Sequence, residues 1–489
     1  MDATRLLQTN YQPQRSLFGA GALIAVGYMD PGNWATDLAA GAQYGNALLF
    51  VVLIASMAAM FLQWIASRVG LITKRDIAEL CHDQYSPLTN FLLWIAAEIA
   101  IIACAVAELV GSAVALQLLF HVSLWVGVIL SAVGACLILA LRRFSQLGLE
   151  WVVTMLIIFV GASMIVQIAF AHPDWQAILM GLQPTGKFLR EFGMLWLAIG
   201  ILGATIMPHN LYLHSTLVKN YGHDTNYFPS DLSTQAQPKT QTQIPTQTHT
   251  QTYADTTHDI ENKQSAVNNS THNNLTHNGL SNSWHDSKHD LTHSYNENHI
   301  KRCLRVINLD TVLSLSFAFF INAALLVMAA AVFHRYGYTN VNDLAAAHHL
   351  LEPLLGTSWS APLFAAALLA CGINSTITGT LAGQAIMEGF LKLRLAIWQR
   401  VLLTRAVALV PALLAVGLFG ENNSNRLLVA SQIILSMQLP LVVLPLLQFA
   451  CSAKLMGQWR MKGLIAAGAW LIAAIIIILN ILLIYQAFL

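Results

Sequence analysis

Eleven long apolar segments limit what this chain can fold into more than any other feature of its sequence. A helix needs about 20 mostly apolar residues to cross the roughly 30 Å of hydrocarbon in a bilayer. Charged residues, prolines or glycine-rich turns bound the segments, which lie near residues 17–43, 46–70, 90–119, 122–141, 150–171, 192–218, 305–333, 357–390, 400–419, 427–450 and 463–488. The sequence therefore predicts an all-α integral membrane protein with eleven transmembrane helices.

The composition excludes most classes of soluble protein. Of the 489 residues, 56% are hydrophobic and only 10% are charged, which is too little polar surface for a soluble globule of this size. The net charge of +1 provides no basic stripe for nucleic acid. The sequence also lacks a nucleotide-binding loop, a metalloprotease helix and a nucleophile elbow. We therefore expect neither an enzyme nor a protein that uses ATP, and we expect no bound cofactor.

A polar stretch divides the apolar segments into two groups. Residues 1–218 hold the first six segments, residues 305–489 hold the last five, and residues 219–304 form a polar insert between them. The insert is rich in Thr, Gln, Asn and Ser and contains more than half of the 17 histidines, a composition typical of disorder. Clustered imidazoles can bind metal ions weakly. Because no fixed ligand spacing appears, we favour a solvated linker over a metal-binding segment.

The positive residues predict the orientation of the helices. Lys and Arg accumulate in cytoplasmic loops, and with the N-terminus in the cytoplasm only four of the 25 would lie outside. Those four are Lys187, Arg190, Arg335 and Arg426. The N-terminus and the insert are therefore predicted to be cytoplasmic, and the C-terminus is predicted to lie outside.

Two segments are interrupted at corresponding positions in the two halves of the chain. Met-Asp-Pro-Gly-Asn at residues 29–33 lies within the first segment, and Ile-Met-Pro-His-Asn at residues 206–210 lies within the sixth. Proline removes an amide donor and disfavours helix for the residue before it, so both helices should unwind and expose carbonyl groups. Matched broken helices in two five-helix halves are typical of inverted-repeat transporters, whose site lies where the breaks meet.

Residues at the two breaks have the chemistry of a metal site. A carboxylate within a bilayer costs roughly 3 kcal/mol unless a cation or proton compensates it, so Asp30 is a candidate site for either. Asn33 offers an amide oxygen, the unwound backbone near Ala204 offers a carbonyl, and Met207 offers a thioether sulfur. Mg²⁺ and Ca²⁺ prefer oxygen ligands, whereas sulfur favours softer transition metals. The pattern predicts transport of a divalent transition metal ion.

The same stretches resemble the signature sequences of a known family. Residues 30–33 and 203–215 are similar to those of the Nramp family of proton-coupled divalent metal transporters, and most similar to its bacterial manganese type. Further similar stretches lie at residues 75–81, 322–324, 378–384, 387–390 and 431–440. The resemblance covers all eleven segments and omits only the insert.

The resemblance implies a fold, a site and an activity. The fold would be a LeuT-like 5+5 inverted repeat with broken helices 1 and 6 and one extra C-terminal helix. The metal would be held by Asp30, Asn33, the Ala204 carbonyl, Met207 and, in one conformational state, Gln432. The proton route would use Asp30, Glu108, His209 and Arg405. The protein would import Mn²⁺, Fe²⁺ or similar ions across the plasma membrane by H⁺ symport.

One departure from the family pattern concerns the proton route. Members commonly carry an aspartate three residues before the acidic residue that matches Glu108, and this chain has Ala105 there. Glu98, Ala105 and Glu108 share one face of the third helix. We therefore expect metal binding to be intact, with proton coupling that is weaker or is routed through Glu98 or His209.

Two alternative functions stay open at this point. A transporter of the same architecture could carry amino acids or Na⁺, although such sites usually use small residues and free backbone amides rather than an aspartate with a methionine. A membrane sensor could instead read metal ions through the histidine-rich insert. Unchanged metal uptake after deletion of residues 221–300 would count against the sensor.

Overall fold

The protein is seen in a computed structural model that describes residues 19–141, 146–221, 281–339, 341, 344–393, 397–419 and 424–487. All regular secondary structure within these residues is helical. The helices before the polar insert are α1 (Ala20–Gly27), α2 (Pro31–Tyr44), α3 (Leu49–Thr73), α4 (Ile77–Gln84), α5 (Pro87–Phe120), α6 (Leu124–Leu141), α7 (Gln146–Ala171), α8 (Trp175–Gly181), α9 (Phe192–Ile206) and α10 (Pro208–Val218). The later helices are α11 (Ser281–Val332), α12 (Leu344–Leu355), α13 (Ser360–Leu391), α14 (Ile397–Phe419), α15 (Ser424–Cys451), α16 (Ala453–Met456) and α17 (Gly463–Ala487).

Eight helical stretches in the described part of the chain are long and apolar enough to cross a membrane. Each apolar segment predicted from the sequence coincides with one long helix or with two shorter helices separated by a break. The prediction of an all-α membrane protein is therefore confirmed. The number of eleven crossings stays a prediction, because helix length and composition alone identify eight.

The two proline motifs interrupt their helices where the sequence predicts. α1 ends at Gly27 and α2 begins at Pro31, while α9 ends at Ile206 and α10 begins at Pro208. Each proline occupies the start of the following helix, where its missing N–H would have had no helical partner. Each also deprives the carbonyl four residues earlier, that of Gly27 or Ala204, of its helical donor. Both breaks therefore expose backbone oxygens inside the bundle.

Glycines let two neighbouring helices approach the breaks closely. Gly111 of α5 lies directly against the ring of Pro31, and a Cβ atom at this position would overlap the ring. Gly203 of α9 lies in the same way against the backbone carbonyl of Gln432 in α15. Small residues commonly allow such close packing of membrane helices. α5 and α15 are thereby held beside the breaks, and α13 packs along α5.

A cluster of charged residues joins α4 to the end of α10. Asp76 and Glu79 form a capping box, in which the side chain of each accepts a hydrogen bond from the backbone N–H of the other. Lys219 donates to Asp76 Oδ2 at 2.7 Å and to Glu79 Oε1 at 2.9 Å. Burial raises the pKa of Asp76, and the charge of Lys219 opposes that rise. Lys219 therefore compensates a buried carboxylate as well as linking two helices.

Lys219→Ala should lower the free energy of unfolding by about 2 kcal/mol, because it leaves the buried Asp76 carboxylate without its cation. The measurement is thermal unfolding of the detergent-solubilised protein. Lys392→Ala is the matched control, since the ion pair of Lys392 with Asp83 is largely exposed and should contribute less than about 1 kcal/mol. Equal losses in the two variants would contradict a special role for Lys219.

The polar insert belongs mostly to a separate unit of the structure. The chain divides into two compact units, one containing residues 1–223 and 301–489 and the other containing residues 224–300. Within the second unit the described residues, 281–300, are helical and belong to the first part of α11. Residues 222–280 lie outside the described residues. The predictions that 219–304 is disordered and that 1–218 and 305–489 flank it as separate regions stay predictions.

Candidate metal-binding site

Asp30 lies in the gap between α1 and α2 and caps the N-terminus of α2. Its Oδ1 atom accepts a hydrogen bond of 2.7 Å from the backbone N–H of Asn33. The side chain is fully buried, and its Oδ2 atom has no hydrogen-bond partner among the described residues. The helix N-terminus favours the negative charge, but a buried carboxylate with one unpaired oxygen still calls for a cation or a proton.

Asn33 lies on the first turn of α2, and a hydrogen bond orients its side chain. Nδ2 donates to the backbone carbonyl of Tyr28 at 2.7 Å. The amide oxygen Oδ1 is thereby left as an acceptor, and it is buried without a partner in the described part of the chain. The start of α2 therefore presents two buried oxygens, one from Asp30 and one from Asn33, to a ligand.

Met207 is the residue between α9 and α10, and its backbone is strained. Its φ angle is 37°, within the left-handed region that residues other than glycine rarely adopt. Strain of this kind costs about 1–3 kcal/mol and is concentrated at functional sites. Asn210 Nδ2 donates to Met207 Sδ at 3.4 Å. With the carbonyl of the buried Ala204, which lacks its helical donor because of Pro208, the second break offers one sulfur and one oxygen.

Gln432 of α15 lies beside both breaks. Its side-chain amide occupies the space that any side chain at Gly32 would need, and its backbone carbonyl lies against Gly203. Nε2 donates to Ser431 Oγ at 3.2 Å, whereas Oε1 is buried and has no partner within the described residues. The structure thus brings Gln432 next to residues that adjoin Asp30 and Ala204.

Together these residues form a candidate site with a mixed set of ligands. No group of three or more His, Cys, Asp or Glu side chains in the described residues is arranged to hold a metal ion. A metal at the breaks would therefore depend on one carboxylate and several neutral donors. The oxygens are hard donors, and the sulfur of Met207 is a soft one, a combination that suits first-row transition metals better than Ca²⁺ or Mg²⁺.

Glu108 and His209, two residues predicted for the proton route, lie on either side of Cys104. The Sγ atom of Cys104 is 3.6 Å from Glu108 Oε1 and 3.8 Å from His209 Nε2. All three side chains are buried. The structure thus brings α5 and α10 together through a thiol that no sequence motif singles out, and only its place one turn before Glu108 on an apolar helix points to it.

Glu98 and Arg405 are not brought to this group by any described contact. Glu98 is partly exposed and accepts a hydrogen bond of 3.2 Å from Trp94 Nε1. It lies ten residues before Glu108, or about 15 Å along α5, and the intervening Ala105 is buried and has no polar side chain. Arg405 belongs to α14, but its side chain lies outside the described residues. Their participation in a proton route stays a prediction.

Four further buried polar residues close to the breaks were missed. Asp37 lies two turns after Asp30 on α2, and the same argument about acids within apolar segments identifies it from the sequence. Tyr28, Gln63 and His214 form a hydrogen-bonded chain. No sequence pattern links these three, because Tyr28 lies in the first break, Gln63 in α3 and His214 in α10, far apart along the sequence.

The fold and the paired breaks define a class of membrane protein. The structure of MhsT in complex with L-phenylalanine superposes with a TM-score of 0.53 at 13% identity, covering 95% of this chain and 97% of that one. At such low identity the similarity concerns the fold alone, and that fold is the LeuT-like transporter fold. The protein is accordingly an all-helical membrane protein with the LeuT-like fold.

The sequence and closer structures identify the family. Residues 21–257 and 270–486 match the family described as Nramp, natural resistance-associated macrophage protein-like, so this chain belongs to the Nramp family. The divalent metal cation transporter MntH of Mesorhizobium japonicum is 41% identical over 472 residues, covering 96% of this chain and 88% of the relative. The corresponding protein of Bradyrhizobium diazoefficiens is 39% identical over 462 residues, covering 94% and 87%. A crystal structure of the Eremococcus coleocola manganese transporter, in complex with an aromatic bis-isothiourea substituted compound, has a TM-score of 0.72 at 30% identity, covering 94% and 84%.

Proposed function

We propose that this protein is a secondary active transporter that imports divalent transition metal ions, chiefly Mn²⁺ and also Fe²⁺, across the plasma membrane. Its relatives in Mesorhizobium and Bradyrhizobium are named divalent metal cation transporters, and its structural relative from Eremococcus is a manganese transporter. The metal ion is the substrate, and the transport cycle uses no cofactor. Alternating access exposes the metal site between the two breaks to each side in turn.

The observation that carries this proposal is the chemistry of the two breaks. Asp30 and Asn33 leave buried oxygens without partners among the described residues, and Met207 supplies a sulfur from a strained backbone. An all-oxygen cation site would not need the thioether, and a carboxylate-binding site would not contain Asp30. In this proposal Asp30, Asn33, the Ala204 carbonyl and Met207 bind the metal, and Gln432 joins them in one state of the cycle.

In this proposal the proton gradient, rather than ATP, drives the transport of the metal ion. Asp30, Glu108 and His209 carry the proton, and Glu98 and Arg405 also belong to the route. The contacts of Cys104 with Glu108 and His209 support a grouping of polar residues near the site. The distribution of Lys and Arg supports a cytoplasmic N-terminus and insert and an external C-terminus.

The direct test is Mn²⁺ uptake by the purified protein in liposomes that contain a pH-sensitive dye, with Ca²⁺ as competitor. We expect Mn²⁺ to enter, Ca²⁺ to compete poorly and the interior to acidify as metal enters. A variant lacking residues 221–300 should transport equally well if the insert is a linker. Absence of Mn²⁺ uptake in both forms would refute the transporter proposal and favour sensing or another substrate.

Ala105→Asp should raise the number of protons that enter with each Mn²⁺ ion by about twofold or more. The substitution introduces a carboxylate three residues before Glu108, within the roughly 15 Å that separates Glu98 from Glu108 along α5. Proton and Mn²⁺ fluxes are measured in the same liposomes, with Ala105→Asn as a control of similar shape without the charge. An unchanged flux ratio in Ala105→Asp would show that Ala105 does not limit coupling.

A further inference from the structure

A chain of buried hydrogen bonds connects three helices to both breaks. His214 Nδ1 of α10 lies 2.9 Å from Gln63 Oε1 of α3, and Gln63 Nε2 donates to the Tyr28 hydroxyl at 2.9 Å. The Tyr28 hydroxyl donates in turn to the backbone carbonyl of Ile206 at 3.4 Å. Tyr28 is the first residue of the first break, directly after α1, and Ile206 is the last residue of α9, directly before the second break.

The hydrogen bonds that join His214, Gln63, Tyr28 and Ile206 all run in one direction, from donor to acceptor. An amide oxygen only accepts, so the proton of the His214 ring lies on Nδ1 when it bonds to Gln63 Oε1. The Ile206 carbonyl is open to the tyrosine because the backbone N–H of Asn210 donates to the carbonyl of Met207 at 3.1 Å. Each donor thus meets one acceptor in the order His214, Gln63, Tyr28 and Ile206.

Tyr28 is also held through its backbone. Its carbonyl accepts hydrogen bonds from Asn33 Nδ2 at 2.7 Å and from Asn322 Nδ2 of α11 at 3.1 Å. The same residue therefore contacts a proposed metal ligand of the first break through its carbonyl and the second break through its hydroxyl. If one break moves, either the hydrogen bond from the Tyr28 hydroxyl to the Ile206 carbonyl is broken or the other break moves with it.

We propose that Tyr28, Gln63 and His214 are positioning residues that make the two helix breaks move together during transport. Ligands from both halves of the repeat then reach the metal, and leave it, in the same step. The inference rests on the proposed transport of divalent metal ions. None of the three side chains is itself a proposed metal ligand, so their removal should slow the conformational cycle without weakening metal binding.

The test compares Tyr28→Phe with the unaltered full-length protein in proteoliposomes. Tyr28→Phe removes only the hydroxyl and keeps the carbonyl that orients Asn33, so we expect Vmax for Mn²⁺ to fall at least fivefold. KM and the equilibrium affinity for Mn²⁺ should stay within twofold, because the proposed ligands are unchanged. Tyr212→Phe is the matched control, since it removes a hydroxyl from another fully buried tyrosine, on α10. This hydroxyl takes no part in the hydrogen bonds that run from His214 to Ile206, so its removal should change Vmax by less than twofold.

Two further sets of variants separate positioning from a merely structural role. Gln63→Leu combined with Tyr28→Phe should lower Vmax no more than twofold below the slower single variant, because one broken link already uncouples the breaks. His214→Asn retains an N–H that can reach Gln63 and should transport at least threefold faster than His214→Leu. Melting temperatures identify any variant that does not fold. If Tyr28→Phe or Gln63→Leu fails to fold, the comparison of Vmax between His214→Asn and His214→Leu still tests the proposal.

The outcomes distinguish the positioning proposal from the proposed function. If the unaltered protein moves no Mn²⁺, the function itself is wrong. If the unaltered protein transports Mn²⁺ but Tyr28→Phe behaves like Tyr212→Phe, the positioning proposal is overturned. Losses that multiply fully in the double variant, or a loss of Mn²⁺ affinity equal to the loss of Vmax, would overturn it as well.

Discussion

Asp30→Asn is expected to lower the affinity for Mn²⁺ by about 100-fold or more and to abolish measurable uptake. Asp30 is the carboxylate of the proposed site, and substitutions that merely support metal ligands already reduce affinity by about 10–100-fold. The fold should survive, because asparagine caps a helix as well as aspartate does and can still accept from the backbone N–H of Asn33. In the absence of metal, loss of a buried negative charge should leave the melting temperature equal or higher.

Asp37→Asn is the matched control for this prediction, because it removes a buried acid from the same helix. Asp37 lies about 10 Å further along α2, too far to share a ligand position with Asp30. We expect it to retain Mn²⁺ affinity within about tenfold of the native protein. The measurement is equilibrium Mn²⁺ titration of each purified variant by calorimetry. Equal losses in both variants would mean that general negative charge, rather than coordination by Asp30, attracts the metal.

Met207→Ala is expected to change which metals are accepted more than how tightly Mn²⁺ is held. A thioether contributes little to binding Ca²⁺ but favours softer ions such as Cd²⁺ and Mn²⁺. Without it, we expect Cd²⁺ affinity to fall at least tenfold and Ca²⁺ to begin competing with Mn²⁺. Competition between ⁵⁴Mn²⁺ and each unlabelled ion in liposomes measures the change in relative affinity.

Met207→Leu separates the sulfur from the volume of the side chain. Leucine fills a similar space and is usually tolerated within about 1.5 kcal/mol, but it has no donor atom. If the sulfur selects the metal, both variants should bind Cd²⁺ more weakly and admit Ca²⁺ as a competitor. If Met207→Leu keeps the native selectivity, the side chain acts by filling space and the thioether hypothesis is wrong.

Much of the candidate site could be anticipated because its signals are local in the sequence. Pro31 and Pro208 break their helices through a missing N–H, which is a property of the residue itself. Asp30 is conspicuous because an acid in an apolar segment needs compensation, and the structure places it at the first break as expected. Met207 lies at the corresponding place in the second break.

The contact of Cys104 with His209 of another helix could not be anticipated in the same way. Because Ala105 lacks a carboxylate, the sequence predicts proton coupling that is weaker or is routed through Glu98 or His209. In the structure Glu98 is about 15 Å away along α5, whereas Cys104 contacts Glu108 and a histidine from α10. Helical periodicity orders residues within one helix but does not say which residue of another helix faces them.

The sequence by itself determined the elements of this protein: the apolar lengths that predict membrane helices, the prolines that break two of them and the residues with metal-binding chemistry. Only the tertiary structure decided which residues meet at the breaks. Tyr28, Gln63 and His214 are joined by hydrogen bonds although they are 35 and 151 residues apart in successive steps, and Gln432 reaches both breaks from α15. The physical reason is that hydrophobic segment length and proline chemistry act within a few residues, whereas a buried polar side chain is satisfied by whichever partner the packing of distant helices brings within about 3 Å.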